Sequence, residues 1–517
     1  MDVKALELLN KLKQDNERLS SEKNEQAEKI RLLEEQLNDL LRRLDGRKSE
    51  RFENPDQTTL FDLLESQDEP KPEEQAQPEL ESVSYQRRRF LKRGPKPLPE
   101  HLERIVEHID PPADERICAC CAEEMARVDE IVTEELDIVP SVFRVKQYVQ
   151  GKYRCRGCMN RNLIKALPPR PIEKGRPSPS LLAHIVVSKY VDHLPLNRQE
   201  QIFRREGVSL ARSTMDEWLG VLSPLLLAVV LAMKRRLLGG DYLQIDETPI
   251  EALDRELKRK TKRCYLWSYG TPTGEVVYDV TTSRAGRHPR DFIAGFRGFA
   301  QTDGYAGYGE VFAQRGVGHI ACMAHIRRKF FEAKHALPER VEEILTLIRS
   351  LYDVEAEARE KKLSSSARVE LRHESSRPIL EELKSRIDDL APIPTPKSKL
   401  GKATRYALGQ WGAMERYLDV GEAEIDNNAC ERSIRPAVIG RKNFLFLGSA
   451  KAGGERASVF YSLTQSAKRL GLNPFEYLRD AIERISTTPT EYIDELTPAS
   501  WKRARERAEK SPAVPAG

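Results

Sequence analysis

Three carboxylates in this 517-residue chain are of a type and setting that could do chemistry together. Asp246 closes the apolar run "YLQIDET", Asp303 closes "FAQTD" just before Gly304, and Glu431 lies in "EIDNNACERSIRP". The first two runs read as strands. Both aspartates are therefore expected at the carboxyl edge of an α/β sheet, where ligands bind. Like charges at adjacent strand ends oppose each other's ionisation. Two divalent cations, Mg²⁺ or Mn²⁺, roughly 3.5–4 Å apart would remove that conflict and would accept a third carboxylate from a nearby helix. The separations are 303 − 246 = 57 and 431 − 303 = 128 residues, so a meeting of all three depends on the fold. Glu431 also has a plainer reading. Asn428 makes a good helix cap, Glu431 stands three residues later in capping-box position, and Arg435 completes an i,i+4 pair.

Basic residues gather near these acids: Arg327, Arg328 and Lys329 in one run, then Arg432, Arg435, Arg441, Lys442 and Lys451. Exposed helices often look this way, but beside a two-metal centre such residues would neutralise phosphates on both sides of a cut. Cys322 and His325 form an i,i+3 pair in "CMAH", which by itself reads as a packed thiol beside a surface histidine and lacks the further ligands of a metal site. Cys118-x-x-Cys121 and Cys155-x-x-Cys158 are two knuckles separated by alternating, strand-like sequence, a pattern that closes a tetrahedral, structural Zn²⁺ site. Cys120 has the wrong spacing to join it. "GSAKAGG" at 448–454 lacks the Gly-Lys-Ser/Thr end of a phosphate-binding loop.

The elements that would position these groups form a multidomain α/β chain. Residues 1–45 carry heptads from Leu9 to Leu44 with Asn16 at a core position, predicting a self-associating coiled coil. Residues 46–97 form an acidic, then basic linker ending in "RRRFLKRGPK". Residues 98–170 hold the zinc-binding β segment. Residues 171–238 are helical, interrupted near Pro195 and at Gly207, and resemble a helix-turn-helix whose second helix opens at Ser209 or Ser213. From 239 to 336 the order is three strands, helix, strand, helix, strand, helix. Residues 337–420 form a helical insertion, 421–486 return to the α/β layer with Glu431, and 487–517 form a tail. Net charge is only +4, with 39% hydrophobic and 32% charged residues, so the total fits a core with solvated segments and excludes little. The N-terminus is polar, and apolar runs such as "LLLAVVLAM" are short of a bilayer span, which leads to the expectation of a soluble cytoplasmic, nucleoid-associated protein.

The blocks "DETP", "YLWSYG", "QTDGYAGY", "CMAHIRRKFFEA", "EIDNNACERSIRP" and "GRKNFLFLGSAKAGGERASVFYSL" resemble those of the insertion-sequence-66 transposases of bacteria. The likeness extends upstream through "SKYVDHLPLNRQEQIFRREGV", the cysteine knuckles and "GRKSER". It implies a ribonuclease-H-like catalytic domain with a DDE triad at Asp246, Asp303 and Glu431, beside a zipper, a zinc segment and a helix-turn-helix-like region. The implied chemistry is metal-dependent phosphoryl transfer to water and then to a DNA hydroxyl, with Asp246 bridging two Mg²⁺ ions and His325 supporting the site. Terminal inverted repeats and target DNA would be the partners, with element-encoded accessory proteins as further candidates. Cys430 and Ser433 stand where alanine is usual, and Asp45 where an apolar residue is usual. A regulator that binds DNA without cutting it is the alternative; the intact triad favours the enzyme.

Overall fold

A computed structural model describes residues 143–146, 152–154, 162–164, 170–172, 177–254 and 261–510. The heptads of 1–45, the linker 46–97 and all four knuckle cysteines lie outside these residues. Two compact units are distinguished, Met1–Lys48 with Lys146–Gly517, and Ser49–Val145. The elements below belong to the first.

Two short antiparallel strands, β1 (Lys152–Arg154) and β2 (Asn162–Ile164), bracket the second cysteine pair in sequence. Helices α1 (Pro179–Tyr190) and α2 (Leu196–Arg205) follow, and Gly207, at φ +81°, turns the chain toward α3 (Arg212–Leu238). The helix-turn-helix outline is present, but α3 begins at Arg212 after Ala211 without a side-chain cap, so neither Ser209 nor Ser213 opens it. At 27 residues it is long and apolar enough, by length and composition, to cross a membrane. Its Met215, Leu219, Leu222, Leu226 and Met233 are nonetheless fully buried, which makes it a core helix in this fold.

The central sheet contains β3 (Tyr242–Leu253), β4 (Thr261–Gly270), β5 (Val276–Thr281), β6 (Gly298–Gln301) and β7 (Val317–Ile320), in spatial order β5-β4-β3-β6-β7. β3, β4 and β5 form an antiparallel meander; β6 and β7 are parallel to β3. Parallel pairing needs crossovers. Helix α4 (Arg287–Phe292) precedes β6, and α5 (Gly309–Phe312) precedes β7. Side chains alternate across a strand, so β3 has two characters. Leu243 and Ile245 pack with Trp267, Tyr269, Phe296 and Tyr308 in one core. Tyr242, Gln244 and Asp246 point to the other face.

Helix α6 (Met323–Glu332) leads from β7 into the insertion: α7 (Pro338–Glu360), α8 (Ser365–Leu371), a π-helical turn (Arg372–Ser376), α9 (Arg377–Leu390) and α10 (Lys399–Glu415). The apolar faces of α6, α7, α9 and α10 share a second core with Ile320, Tyr417 and Ile425, while α8 buries no residue. Inside the insertion Arg372 is 1% exposed and Glu355 fully buried. All five guanidinium N–H groups have acceptors: the Glu355 carboxylate at 2.7 and 2.9 Å, Tyr417 O and Val420 O at 2.8 Å, and Ala423 O at 2.7 Å. Burial alone would raise Glu355, but Arg372 and Arg368 outweigh it and hold the carboxyl below its usual range. The segment so gripped runs directly into α11 (Asn428–Phe444).

Helix α12 (Ala452–Arg469) covers the sheet's edge. Ser462 Oγ accepts from Tyr278 N and Ser466 Oγ from Val276 N, each at 2.9 Å, so the outer N–H groups of β5 are not left open for another strand. Helix α13 (Pro474–Arg484), a 3-10 segment (Thr490–Leu496) and α14 (Pro498–Lys510) complete the chain. Residues 487–517 were expected as a tail; instead Leu496 and Thr497 are fully buried and Trp501 is nearly so.

Candidate active site

Register brings the two aspartates together. In the parallel β3–β6 pair Gln244 faces Gln301, an offset of 301 − 244 = 57, and 303 − 246 is also 57. The ladder ends at that pair, and two residues further along each strand the Asp303 charge is still felt at the Asp246 carboxyl. The side chains of Gln244 and Gln301 touch at 2.9 Å, so this face is shared across the strands. The strand-end expectation needs correcting for Asp246. β3 continues to Leu253 through pairing with β4, and Asp246 sits mid-strand opposite Ser268. It marks the end of the parallel pairing alone. Asp303 lies two residues past β6, and its Oδ1 accepts from Tyr305 N at 2.9 Å, which turns the chain. At Gly304 an added Cβ would lie 2.4 Å from the Tyr406 ring, whose hydroxyl accepts from Gly304 N at 3.0 Å. The insertion thus touches the loop that carries Asp303.

Glu431 arrives from α11, which lies over the Asp246 face. Asn427 Nδ2 donates to Ile245 O at 3.0 Å, and the hydroxyls of Ser268 and Ser433 are 3.0 Å apart. Asn428 is the first residue of this helix and not its cap. Asp426 starts the turn instead: its Oδ1 accepts from Asn428 N at 3.0 Å and its Oδ2 from the Asn428 side chain at 2.7 Å. The capping-box reading of Glu431 therefore fails. Its carboxylate faces inward, 3.7 Å from both His325 Nε2 and Arg328 Nη2.

The electrostatics report one neighbourhood. Burial, then the charges of Glu247, Glu431 and Asp303, push the Asp246 carboxyl well above its usual range. Burial lowers the His325 imidazole, while Glu431 and Asp303 pull it the other way. Among the described residues, Glu431 Oε1 and His325 Nδ1 are buried without a hydrogen-bond partner. A divalent cation fits this arrangement, because hard carboxylate oxygens suit Mg²⁺ or Mn²⁺ and the cation would relieve both the repulsion and the unpaired oxygen. Cys322, His325 and Glu431 also approach one another, with ligand atoms within 4.8 Å. Burial pushes the Cys322 thiol up to about 12, so it stays protonated, and its sulfur accepts from Asn427 N at 3.2 Å. Its work here is to seat the start of α11.

Without metal, a carboxyl whose folded pKa is raised favours folding while protonated and costs stability once pH climbs above the ordinary carboxylate range. Asp246→Asn is therefore expected to melt higher than the parent at neutral pH in chelator, with the difference shrinking as pH falls toward 4. Calorimetry across that range checks it; equal melting at pH 7 would mean that neither burial nor the neighbouring carboxylates disfavour the Asp246 charge.

The basic residues divide. Arg328 pairs with Glu431, Lys329 lies 4.5 Å over the Tyr406 ring, and Arg327 is half-buried. Arg432, Arg435, Lys442 and Lys451 are exposed, while Arg441 donates to Pro249 O. One group escaped the sequence reading. Glu247, on the opposite face from Asp246, accepts from Tyr308 and from Arg284 Nε at 2.6 Å, and Arg284 stacks 3.7 Å over Tyr305. The adjacent acids in "IDET" were the available signal: alternation sends the second away from the first.

Comparisons with known proteins agree in extent and order. A family model described as "Transposase IS66 family" matches residues 174–455. A "zinc-finger binding domain of transposase IS66" matches 115–159, an "IS66 C-terminal element" matches 462–499, and "Transposase C of IS166 homeodomain" matches 32–106. The uncharacterized protein y4jD of Sinorhizobium fredii is 35% identical over 489 residues, 90% of this chain and 93% of its own length. The uncharacterized y4qI of the same organism is 36% identical over 434 residues, covering 80% and 78% of the two chains.

Proposed function

The chain belongs to the IS66 transposase family, and from that premise we propose that it cuts and joins DNA by a DDE mechanism at Asp246, Asp303 and Glu431. One observation carries the reading. Carboxylates 431 − 246 = 185 residues apart in sequence share one electrostatic site, and one of them keeps a buried, unpaired oxygen. The sheet order, with an antiparallel meander followed by two parallel strands, supports a ribonuclease-H-like core interrupted by the insertion.

The three carboxylates would hold two Mg²⁺ ions, which supply an activated oxygen nucleophile and charge neutralisation at the leaving oxygen. The chain's own groups do the rest. The parallel β3–β6 pair would bring Asp246 and Asp303 near each other, α11 would deliver Glu431, and His325, whose pKa burial lowers, would hydrogen-bond without adding charge. Arg328 beside Glu431 and exposed Arg432 and Arg435 offer contacts to flanking phosphates. The heptads would join copies of the chain, accessory proteins encoded by the element would assist, and the work would take place on nucleoid DNA in the cytoplasm.

The test incubates purified protein with labelled ends of its element in Mg²⁺ or in chelator. Nicking at a 3′ end in Mg²⁺ alone is expected; cutting equal in chelator would exclude the mechanism. The knuckles would hold one structural Zn²⁺ through Cys118, Cys121, Cys155 and Cys158. Elemental analysis should find one zinc per chain, lost in Cys155→Ser; none in the parent would remove that site.

A further inference from the structure

α11 ends on a leucine where glycine is the usual choice. Leu445 takes φ +61°, and its N–H donates to Arg441 O at 2.9 Å. A non-glycine residue in this region is strained and persists where its surroundings hold it. Burial does not offset that strain, because Leu445 is 65% exposed, Phe446 37% and Ile439 on the same helix 43%. Nor is the tip loosely held. Leu447 N donates to Glu251 O at 2.9 Å and Leu253 N to Gly448 O at 2.5 Å, which tie the segment to the end of β3. Along its own segment the charge has one sign: between Glu431 and Glu455 the sequence has five Lys or Arg and no Asp or Glu, while the adjoining end of β3 adds Glu251, whose carboxylate is paired with Arg263 at 3.7 Å.

A tethered apolar tip on a segment whose own charges are all positive suits a polyanion whose interior is apolar and can be opened. We propose that Leu445 and Phe446 form a wedge that enters a base step of bound DNA while Lys442 and Lys451 meet its phosphates. This rests on DNA being the substrate. Glu431 and Phe444 are 444 − 431 = 13 residues apart on α11. At 1.5 Å per residue that is about 20 Å, so a duplex lying along the helix would meet the wedge about six base pairs from the carboxylates. There the unstacking would bend the duplex and wrap more of it onto the basic face.

The full chain is titrated with a fully paired duplex of the element end and with the same duplex carrying a short bulge. A wedge binds the bulged duplex about tenfold tighter, since part of the unstacking is already done. Phe446→Ala and Leu445→Gly are expected to reduce that preference to about twofold or less while still binding paired DNA. Leu445→Gly is the decisive variant. Glycine relieves the backbone, so its melting temperature should hold or rise, and lost preference then cannot reflect misfolding. A parent that binds both duplexes equally, or variants that keep the preference, overturns the wedge. So does a change of oligomeric state in sedimentation with the preference intact, which assigns the tip to a second copy. A parent that binds neither duplex, a different result, removes the DNA reading itself.

Discussion

Glu431→Gln is expected to lower metal-dependent nicking about 10³-fold, the loss of several kcal/mol of transition-state stabilisation at a metal centre. The substitution keeps shape and removes charge. Glu431 Oε1 accepts no hydrogen bond, and the long 3.7 Å contacts to His325 and Arg328 are the charge pairs the substitution weakens, so folding is checked by melting alongside activity. DNA affinity should hold or improve, because one negative charge leaves a surface that faces phosphate. Asp303→Asn should match it. Arg435→Ala makes the opposite pattern: weaker binding and a salt slope reduced by about one, with the chemical step nearly intact. Gel-shift titration and single-turnover nicking separate the two classes. Equal nicking by the parent and Glu431→Gln would remove Glu431 from the chemistry.

Arg372→Met is expected to cost about 3–5 kcal/mol of stability, since it leaves the Glu355 carboxylate buried without its bidentate partner. Replacing both, as Glu355→Leu with Arg372→Met, should recover only part of that loss: the unpaired carboxylate is gone, but the carbonyls of Tyr417, Val420 and Ala423 lose their donor and Arg368 loses an acceptor. Cleavage should not recover with it. Arg372 also holds the carbonyls of Tyr417, Val420 and Ala423, and these lead through Asp426 and Asn427 to Glu431. Urea unfolding measures the first effect and nicking per folded molecule the second. If the double variant regains both, the insertion only stabilises the fold and does not position the third carboxylate.

The strand and helix order from 239 to 336 was legible because alternation and short apolar runs are local signals. That Asp246 and Asp303 stand near each other was an expectation from chemistry, since two acids in apolar runs ask for a cation, and the Asp303 charge acting on the Asp246 carboxyl supports it. The mid-strand place of Asp246 was not, since β3 extends beyond it only through pairing with β4, a contact that "DETPIEAL" does not announce. The true start of α11 was hidden by competition among Asp426, Asn427 and Asn428, all good capping residues. Tertiary contacts decide it: Asn427 bonds to Ile245 O and Asp426 to Tyr352, which leaves Asn428 inside the helix. The Glu355–Arg372 pair looked like two more charges in a polar helical stretch, and only burial distinguishes it. Packing of the last helices follows from partners far away in sequence, Arg236 bonding to Thr497 and Ser500 and Glu275 accepting from Ala499 N, which composition near the end of the chain conceals.

Manganese placed by anomalous scattering in crystals of this protein tests the account most directly. Two peaks roughly 3.5–4 Å apart are expected, with carboxylate oxygens of Asp246, Asp303 and Glu431 among their ligands. Ions bound elsewhere, or a centre formed without Glu431, would contradict it.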